Sequence, residues 1–189
     1  MNKYFVTLIS FLGFGMLMYY LTISGNYPIA YIDGDFVSQK SYSEYLVSAV
    51  HYYSEASKVA NKGEEIKDFA SYIPEIKRSI LDKIISDSII ENKLEDMLGN
   101  DLNPMVSKKV EPATQNEKFS QYVSSLYGIS FERVKAIVLE PQARQEILES
   151  RLSMQNINFN NWITNAKKGA KVHLFINGLK WDGLAVAFK

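Results

Sequence analysis

Residues 4–23 run without a single charge and are rich in Phe, Leu, Ile and Met. At about 1.5 Å per residue, a helix of this length spans the ~30 Å hydrocarbon core of a bilayer. Tyr4 stands at one end, and Tyr19, Tyr20 and Tyr27 cluster at the other, where aromatic rings favour the two membrane interfaces. Lys3 precedes the run and no basic residue follows until Lys40, so the positive-inside bias puts Met1 in the cytoplasm and the rest outside. A cleaved signal peptide is the competing reading. Its apolar region is usually ~7–15 residues and ends in an A-x-A-like site, whereas the nearest small pair here is Thr22 and Ser24. The expectation is a retained signal-anchor over residues 1–24 and an exported domain over residues 25–189. It places the chain in the inner (cytoplasmic) membrane as a single-pass protein, its bulk periplasmic or extracytoplasmic.

Beyond the anchor the pattern changes period. Residues 30–38 read as two short β-prone pieces around an Asp33-Gly34 turn. Ser41, with Glu44 three positions on, is a capping-box signature for a helix carrying Tyr42, Tyr45, Leu46, Ala49, Val50, Tyr53 and Ala60 at helical spacing. Residues 61–65 interrupt that pattern around Gly63. The strongest helix spans residues 73–98, with Pro74 in its first turn and Gly99 as its stop. Its apolar face, from Ile76 through Ile84, Ile85 and Ile90 to Leu98, is wider than a two-residue heptad seam and predicts neighbours on two sides.

The second half alternates breaks and helices. Residues 100–116, with Pro104 and Pro112, read as a polar connection. A helix then runs to Tyr127 and stops at Gly128. Ser130 caps the next helix, which Pro141 breaks or kinks. A short helix around Trp162 precedes Gly169. Residues 172–176 predict a strand, Asn177-Gly178 a tight hairpin turn, and Leu179 onward its partner. The fold class is mainly α, with a small antiparallel β element built from both ends of the exported chain. No repeat of fixed period is present.

Composition narrows the function. The chain has 189 residues and 21 basic against 21 acidic side chains, a balance that argues against a nucleic-acid partner. It contains no cysteine, which excludes disulfides, Zn–Cys sites, Fe–S clusters and a lipobox-type lipid anchor. Residues 33–101 hold 14 acids against 8 bases and residues 102–189 hold 12 bases against 7 acids. Such halves could attract each other on folding or offer faces of opposite sign; solvated helix faces are the simpler reading.

Catalytic signatures are missing. His51 and His173 lie far apart, neither with a carboxylate or second His at metal-ligand spacing, and both read as structural or surface residues. There is no Gly-x-Ser-x-Gly elbow, no phosphate-binding glycine loop and no dinucleotide fingerprint, so neither a catalytic residue, a metal nor a cofactor is assigned. Asp33-Gly34-Asp35 lacks the remainder of an EF-hand loop and reads as a turn.

Three stretches, in this order, resemble the N-terminal chaperone domain of SurA-like and PpiD-like proteins, of the parvulin-type peptidyl-prolyl isomerase family. The first is Ala30-Tyr31-Ile32-Asp33-Gly34-Asp35-Phe36-Val37-Ser38 followed by Tyr42 and Tyr45, similar to that family's opening strand and first helix. The second is residues 76–99 with Ile80-Leu81-Asp82-Lys83-Ile84-Ile85, similar to its long helix. The third is Phe159-Asn160-Asn161-Trp162-Ile163 with Ala170-Lys171-Val172, similar to its terminal helix and returning strand. Catalytic members carry a parvulin domain, usually between the long helix and the returning segment. Residues 100–158 show no glycine-rich parvulin pattern, so the resemblance implies a SurA-N-like chaperone module without its enzyme.

The expected function is a non-enzymatic, membrane-anchored, chaperone-like protein that binds unfolded or exported polypeptides. Such a module needs an apolar cleft tolerant of varied side chains, and aromatic and Met residues suit its lining. Tyr42, Tyr45, Tyr52, Tyr53, Met97 and Met105 are the candidate polypeptide-binding residues. Two alternatives stand beside this: a dedicated interaction subunit of a membrane or secretion complex in the envelope, and a prolyl isomerase with a degenerate catalytic region.

Overall fold

The computed structural model describes residues 3–60 and 69–189, and the side chains of these except 3–12, 17 and 60. Helix α1 (Lys3–Ser24) leads into strands β1 (Pro28–Ile32) and β2 (Asp35–Ser38), then helix α2 (Gln39–Ala60). Helices α3 (Ile73–Leu98), α4 (Leu102–Thr114) and α5 (Glu117–Tyr127) follow. A near-continuous helical run is made of α6 (Phe131–Val134), a π-helical turn (Lys135–Leu139) and α7 (Glu140–Met154). Helix α8 (Phe159–Gly169) and strands β3 (Val172–Leu174), β4 (Leu179–Trp181) and β5 (Val186–Phe188) close the chain. The architecture is mainly helical with small antiparallel sheets. Among the described residues no helix is long and apolar enough to cross a membrane. The run expected to do so includes residues 4–12 and 17, whose side chains lie outside the described ones, as does the break expected around Gly63.

Helix α3 has the bounds its periodicity predicts and lies between two hydrophobic clusters. Leu81, Ile84, Ile85 and Ile89 pack with Ile29, Ile32, Val37 and Tyr42, and with Leu179 and Val186 of the C-terminal strands. One turn further on, Ile90 and Leu94 pack with Leu102, Val106 and Val110 of α4 and Ile147, Leu148 and Leu152 of α7. Trp162 and Ile163 of α8 touch both clusters. Each fully buried Leu or Ile contributes roughly 1.5–3 kcal/mol relative to exposure, so this single helix carries a large part of the apolar burial.

Strands β2, β1 and β3 form a three-stranded sheet in that order, with β1 central and antiparallel to both neighbours. The pairing of Ala30 with Leu174 and Ile32 with Val172 joins the start of the globular part to its end. The β1–β2 connection is the expected two-residue turn, since Ile32 pairs with Asp35 across Asp33-Gly34. Asp33 also clamps the returning segment: its N–H donates to the Lys171 carbonyl at 3.1 Å, and its Oδ1 accepts from the Lys171 N–H at 2.7 Å.

Four local expectations are corrected. Residues 102–114 are helical rather than a polar connection: Leu102, Val106 and Val110 recur at i, i+4, i+8 and are buried. Pro104 falls in the first turn, where its missing N–H costs nothing, and Pro112 in the last. The cap of α2 is Ser38, whose Oγ accepts from the Ser41 N–H at 3.1 Å, and Glu44 pairs with Arg133 instead of closing a capping box. Ser130 holds the N-cap position of α6, yet its carbonyl rather than its hydroxyl accepts from Arg133 and Val134. Finally, Asn177-Gly178 is not the turn of a hairpin between β3 and β4. Strand β3 is taken by β1, and β4 pairs with β5 across a turn in which Asp182 Oδ1 accepts from the N–H groups of Leu184 and Ala185, each at 2.8 Å. Leu179 and Val186 are both buried against α3, and that burial selects the pairing.

The charge asymmetry has a structural counterpart. Arg133 pairs with Glu44, Arg144 Nη2 lies 3.1 Å from Glu91 Oε1, and Lys167 Nζ lies 3.1 Å from Asp82 Oδ2. In each pair a base from the second half meets an acid from the first.

Candidate functional site

Tyr53, near the C-terminal end of α2, separates two open concavities. On one side a groove of about 420 Å³ runs between α2 and the start of α3, lined by Tyr53, Ala56, Phe69, Tyr72 and Ile76. Among the described residues its lining is overwhelmingly apolar, and the half-exposed Tyr53 and Tyr72 form two of its walls. Glu75 borders it but is engaged by Arg78, whose Nε and Nη2 both donate to its carboxylate. That ion pair holds the Glu75 carboxyl below the ordinary range.

On the other side lies a smaller pocket of about 240 Å³ between α2, α3, α5 and the π-helical turn. Tyr45, Ser48, Tyr52, Tyr53 and Tyr127 supply its polar edges together with Lys83, which is paired with Asp87. Tyr52 stacks on Tyr127 with ring centroids 5.1 Å apart and meets Tyr53 edge-on at 5.5 Å. Such offset and edge-to-face pairs add roughly 0.5–1.5 kcal/mol to the burial of the rings. Burial raises the pKa of Tyr45, with the nearby Asp87 carboxylate adding to it, and burial likewise raises that of Tyr127. Both phenols are therefore neutral and able to donate at physiological pH. Ser48 is buried and its hydroxyl has no hydrogen-bond partner among the described residues.

The positions of these rings follow from local structure. On α2, positions 45, 48, 49, 52, 53 and 56 repeat at three and four residues, so one stripe of the helix faces α3 and α5. The opposing wall is held by a close approach. Gly128 ends α5 at φ +67°, and a Cβ there would stand 2.6 Å from the His51 ring. His51 Nδ1 lies 3.0 Å from the Leu126 carbonyl. A carbonyl can only accept, so Nδ1 carries the hydrogen. His51 is thus a strut between α2 and α5, and His173 lies on β3 beside the Tyr31 ring, centroids 6.0 Å apart.

The six residues proposed from sequence separate into four places. Tyr45, Tyr52 and Tyr53 come together around the smaller pocket. Tyr42 is buried in the first core cluster and donates its hydroxyl hydrogen to the Lys77 carbonyl at 3.3 Å. Met97 packs against the second cluster, and Met105 lies on a separate cleft with Lys108, Lys109, Glu146 and Met154. The reading from sequence missed Phe69, Tyr72 and Ile76 on the groove and Ser48 and Tyr127 at the pocket. Tyr72, two residues before the Pro74 helix start, carried a local signal. No periodicity could have brought Tyr127 to Tyr52.

Among the described residues, no three His, Asp or Glu side chains converge as a metal site would require. The site offers shape, apolar area, neutral hydroxyls and one ammonium already paired with a carboxylate. Its class is a mainly helical domain with small antiparallel sheets and an aromatic-walled groove. No protein-family model matches the chain, and no curated protein or solved structure matches it significantly.

Proposed function

We propose that this chain is a membrane-anchored, non-enzymatic polypeptide-binding protein of the chaperone type, with residues 25–189 on the outer side of the cytoplasmic membrane. The observation that carries this reading is the pair of concavities meeting at Tyr53. An apolar groove accepts side chains of varied shape through burial alone, while the neutral Tyr hydroxyls of the adjoining pocket suit the polar backbone of an extended segment. The resemblance to the SurA-N module supports the same reading, as does the joining of β1 to β3 at the two ends of the globular part. Binding of this kind is weak and tolerant of sequence. It is also only modestly sensitive to salt, because basic and acidic side chains balance at 21 each.

The test uses the full chain in lipid vesicles, with an unfolded client and a short prolyl peptide. The expected result is slower client aggregation with no acceleration of prolyl isomerisation, a reaction whose barrier of roughly 20 kcal/mol makes catalysis easy to see. Replacing Tyr53 and Tyr72 by Ser should remove most of the aggregation suppression while leaving the circular dichroism spectrum unchanged. Clear isomerase activity would overturn the reading in favour of a degenerate enzyme. Absence of suppression together with tight capture of a single envelope protein would overturn it in favour of a dedicated complex subunit.

A further inference from the structure

We infer that the outer face of the three-stranded sheet is a second membrane contact, seated in the lipid headgroup layer beside α1. This rests on the anchored reading of residues 1–24. The face consists of Tyr31 on β1, Phe36 on β2, and His173 and Phe175 on and just beyond β3. The Tyr31 ring lies 5.3 Å from Phe36 and 6.0 Å from His173 between centroids. Phe36 and Phe175 are 67% and 58% exposed, unusual for large apolar rings gathered on one surface. The opposite face, with Ala30, Ile32, Val37 and Leu174, is the core side, so alternation along the strands commits these aromatics to the outside.

The occupant follows from how α1 meets the sheet. Only Gly25, Asn26 and Tyr27 separate the two. That linker is not a loose tether: Gly25 adopts φ +68°, its N–H donates to the Thr22 carbonyl and the Asn26 N–H to the Leu21 carbonyl. This is the paired closure of a helix C-terminus that a left-handed glycine permits. The Gly25 carbonyl then accepts from the Lys40 N–H at 2.8 Å and the Tyr27 carbonyl from the Gln39 N–H at 2.9 Å. The helix end is therefore stapled to the first turn of α2 and to the start of β1. Exposed Tyr19, Tyr20 and Tyr27 mark the outer interface level. The strand starts within about 10 Å of the end of α1, three residues at ~3.3 Å each, comparable with the thickness of a headgroup layer. Phe175, whose N–H donates to the Ile29 carbonyl, lies at the anchored end of the sheet, while Phe36 lies toward the other end, next to the acidic Asp33-Gly34-Asp35 turn. Tyr and His rings, apolar in body and polar at the edge, suit the interfacial layer better than a dry protein core.

The chain has no cysteine, so single substitutions give clean labelling sites. Phe36→Cys, Phe175→Cys and, as reference, Met154→Cys would each carry an environment-sensitive fluorophore. The full chain is reconstituted in phosphatidylcholine–phosphatidylglycerol vesicles with a headgroup-level spin-labelled quencher lipid. The label at 175 should emit at shorter wavelength and be quenched several-fold more strongly than the label at 154, and the label at 36, farther from α1 along the sheet, should fall between them. If the protein floats with the vesicles but the three labels behave alike, the sheet-face contact is wrong and the anchor stands. If the protein does not float with vesicles, both fail. Blue-shifted emission without lipid quenching, together with disulfide crosslinking between two copies of the Phe36→Cys variant, would overturn the contact by assigning the face to a second copy.

Discussion

Asp82 and Lys167 join the long helix to the C-terminal part of the chain. Lys167 Nζ donates to Asp82 Oδ2 at 3.1 Å, while Oδ1 of the same carboxylate accepts the Val186 N–H at 3.1 Å. One turn earlier on α3, Arg78 Nη1 donates to the Val186 carbonyl at 2.8 Å. Both backbone groups of one β5 residue are thus satisfied by α3 side chains spaced i, i+4. Replacing Asp82 by Ala should leave the Val186 N–H and a mostly buried ammonium without this partner, at about 2–3 kcal/mol. Thermal unfolding should show a drop of roughly 5–10 °C. Adding Lys167→Met should recover part of it, and strict additivity of the two changes would show that the pair is not coupled in solution.

Ile85 is fully buried and Ile84 nearly so, both in the first core cluster. An Asp at either place puts a carboxylate among Leu81, Ile32 and Val186 with no cationic partner. The expected cost is roughly 3–5 kcal/mol, a large part of the ~5–15 kcal/mol stability of a typical domain. Rapid proteolysis of the globular part is the expected outcome; unchanged melting of both variants would place this face in solvent.

Asp87 is tuned in the opposite sense to most surface carboxylates. Burial raises its pKa, and Lys83 and Arg144 offset this in part. A carboxyl raised on folding holds its proton more tightly in the native state. Native stability therefore grows as pH falls through the raised value toward the ordinary range near 4, and a cost remains at neutral pH. Asp87→Asn removes that titration and lessens the rise of the neighbouring Glu91 carboxyl, to which burial contributes most and the Asp87 charge adds, so both changes favour the variant at neutral pH. The variant should melt above the parent at pH 7, with the gap closing as the pH is lowered. Glu146 and Asp182, exposed and lowered by their hydrogen bonds, work the other way in both proteins and cancel in the comparison. A gap that widens on acidification would contradict burial as the cause.

Gly128→Ala should be destabilising on two counts: about 1–2 kcal/mol for a side chain in the left-handed region, and the collision with the His51 ring. Combining it with His51→Ala should relieve the collision but not the backbone strain. The loss in the double variant is then smaller than the sum of the two single losses, measured by chemical denaturation. An Ala tolerated at position 128 without loss would mean that α2 and α5 do not approach this closely.

Elements whose signal is local can be read from the chain alone. Helix α3 is legible end to end, because Pro74, Gly99 and a repeating Ile/Leu face act within a few residues of one another. The Asp33-Gly34 turn and the stops at Gly99 and Gly128 are legible for the same reason. Long-range packing settles whatever depends on a competitor for the same partner. Strand β3 had two suitors, and β1 won because that pairing packs Val172 and Leu174 over the core while Leu179 and Val186 are released to pack on α3. Helix α4 formed despite two prolines because Leu102, Val106 and Val110 found α7 to bury against. The tyrosine site divides along the same line. Tyr45, Tyr52 and Tyr53 share a helix face that 3.6-residue periodicity specifies, whereas Tyr127 joins them only because a glycine 77 positions beyond His51 lets two helices close on an imidazole ring.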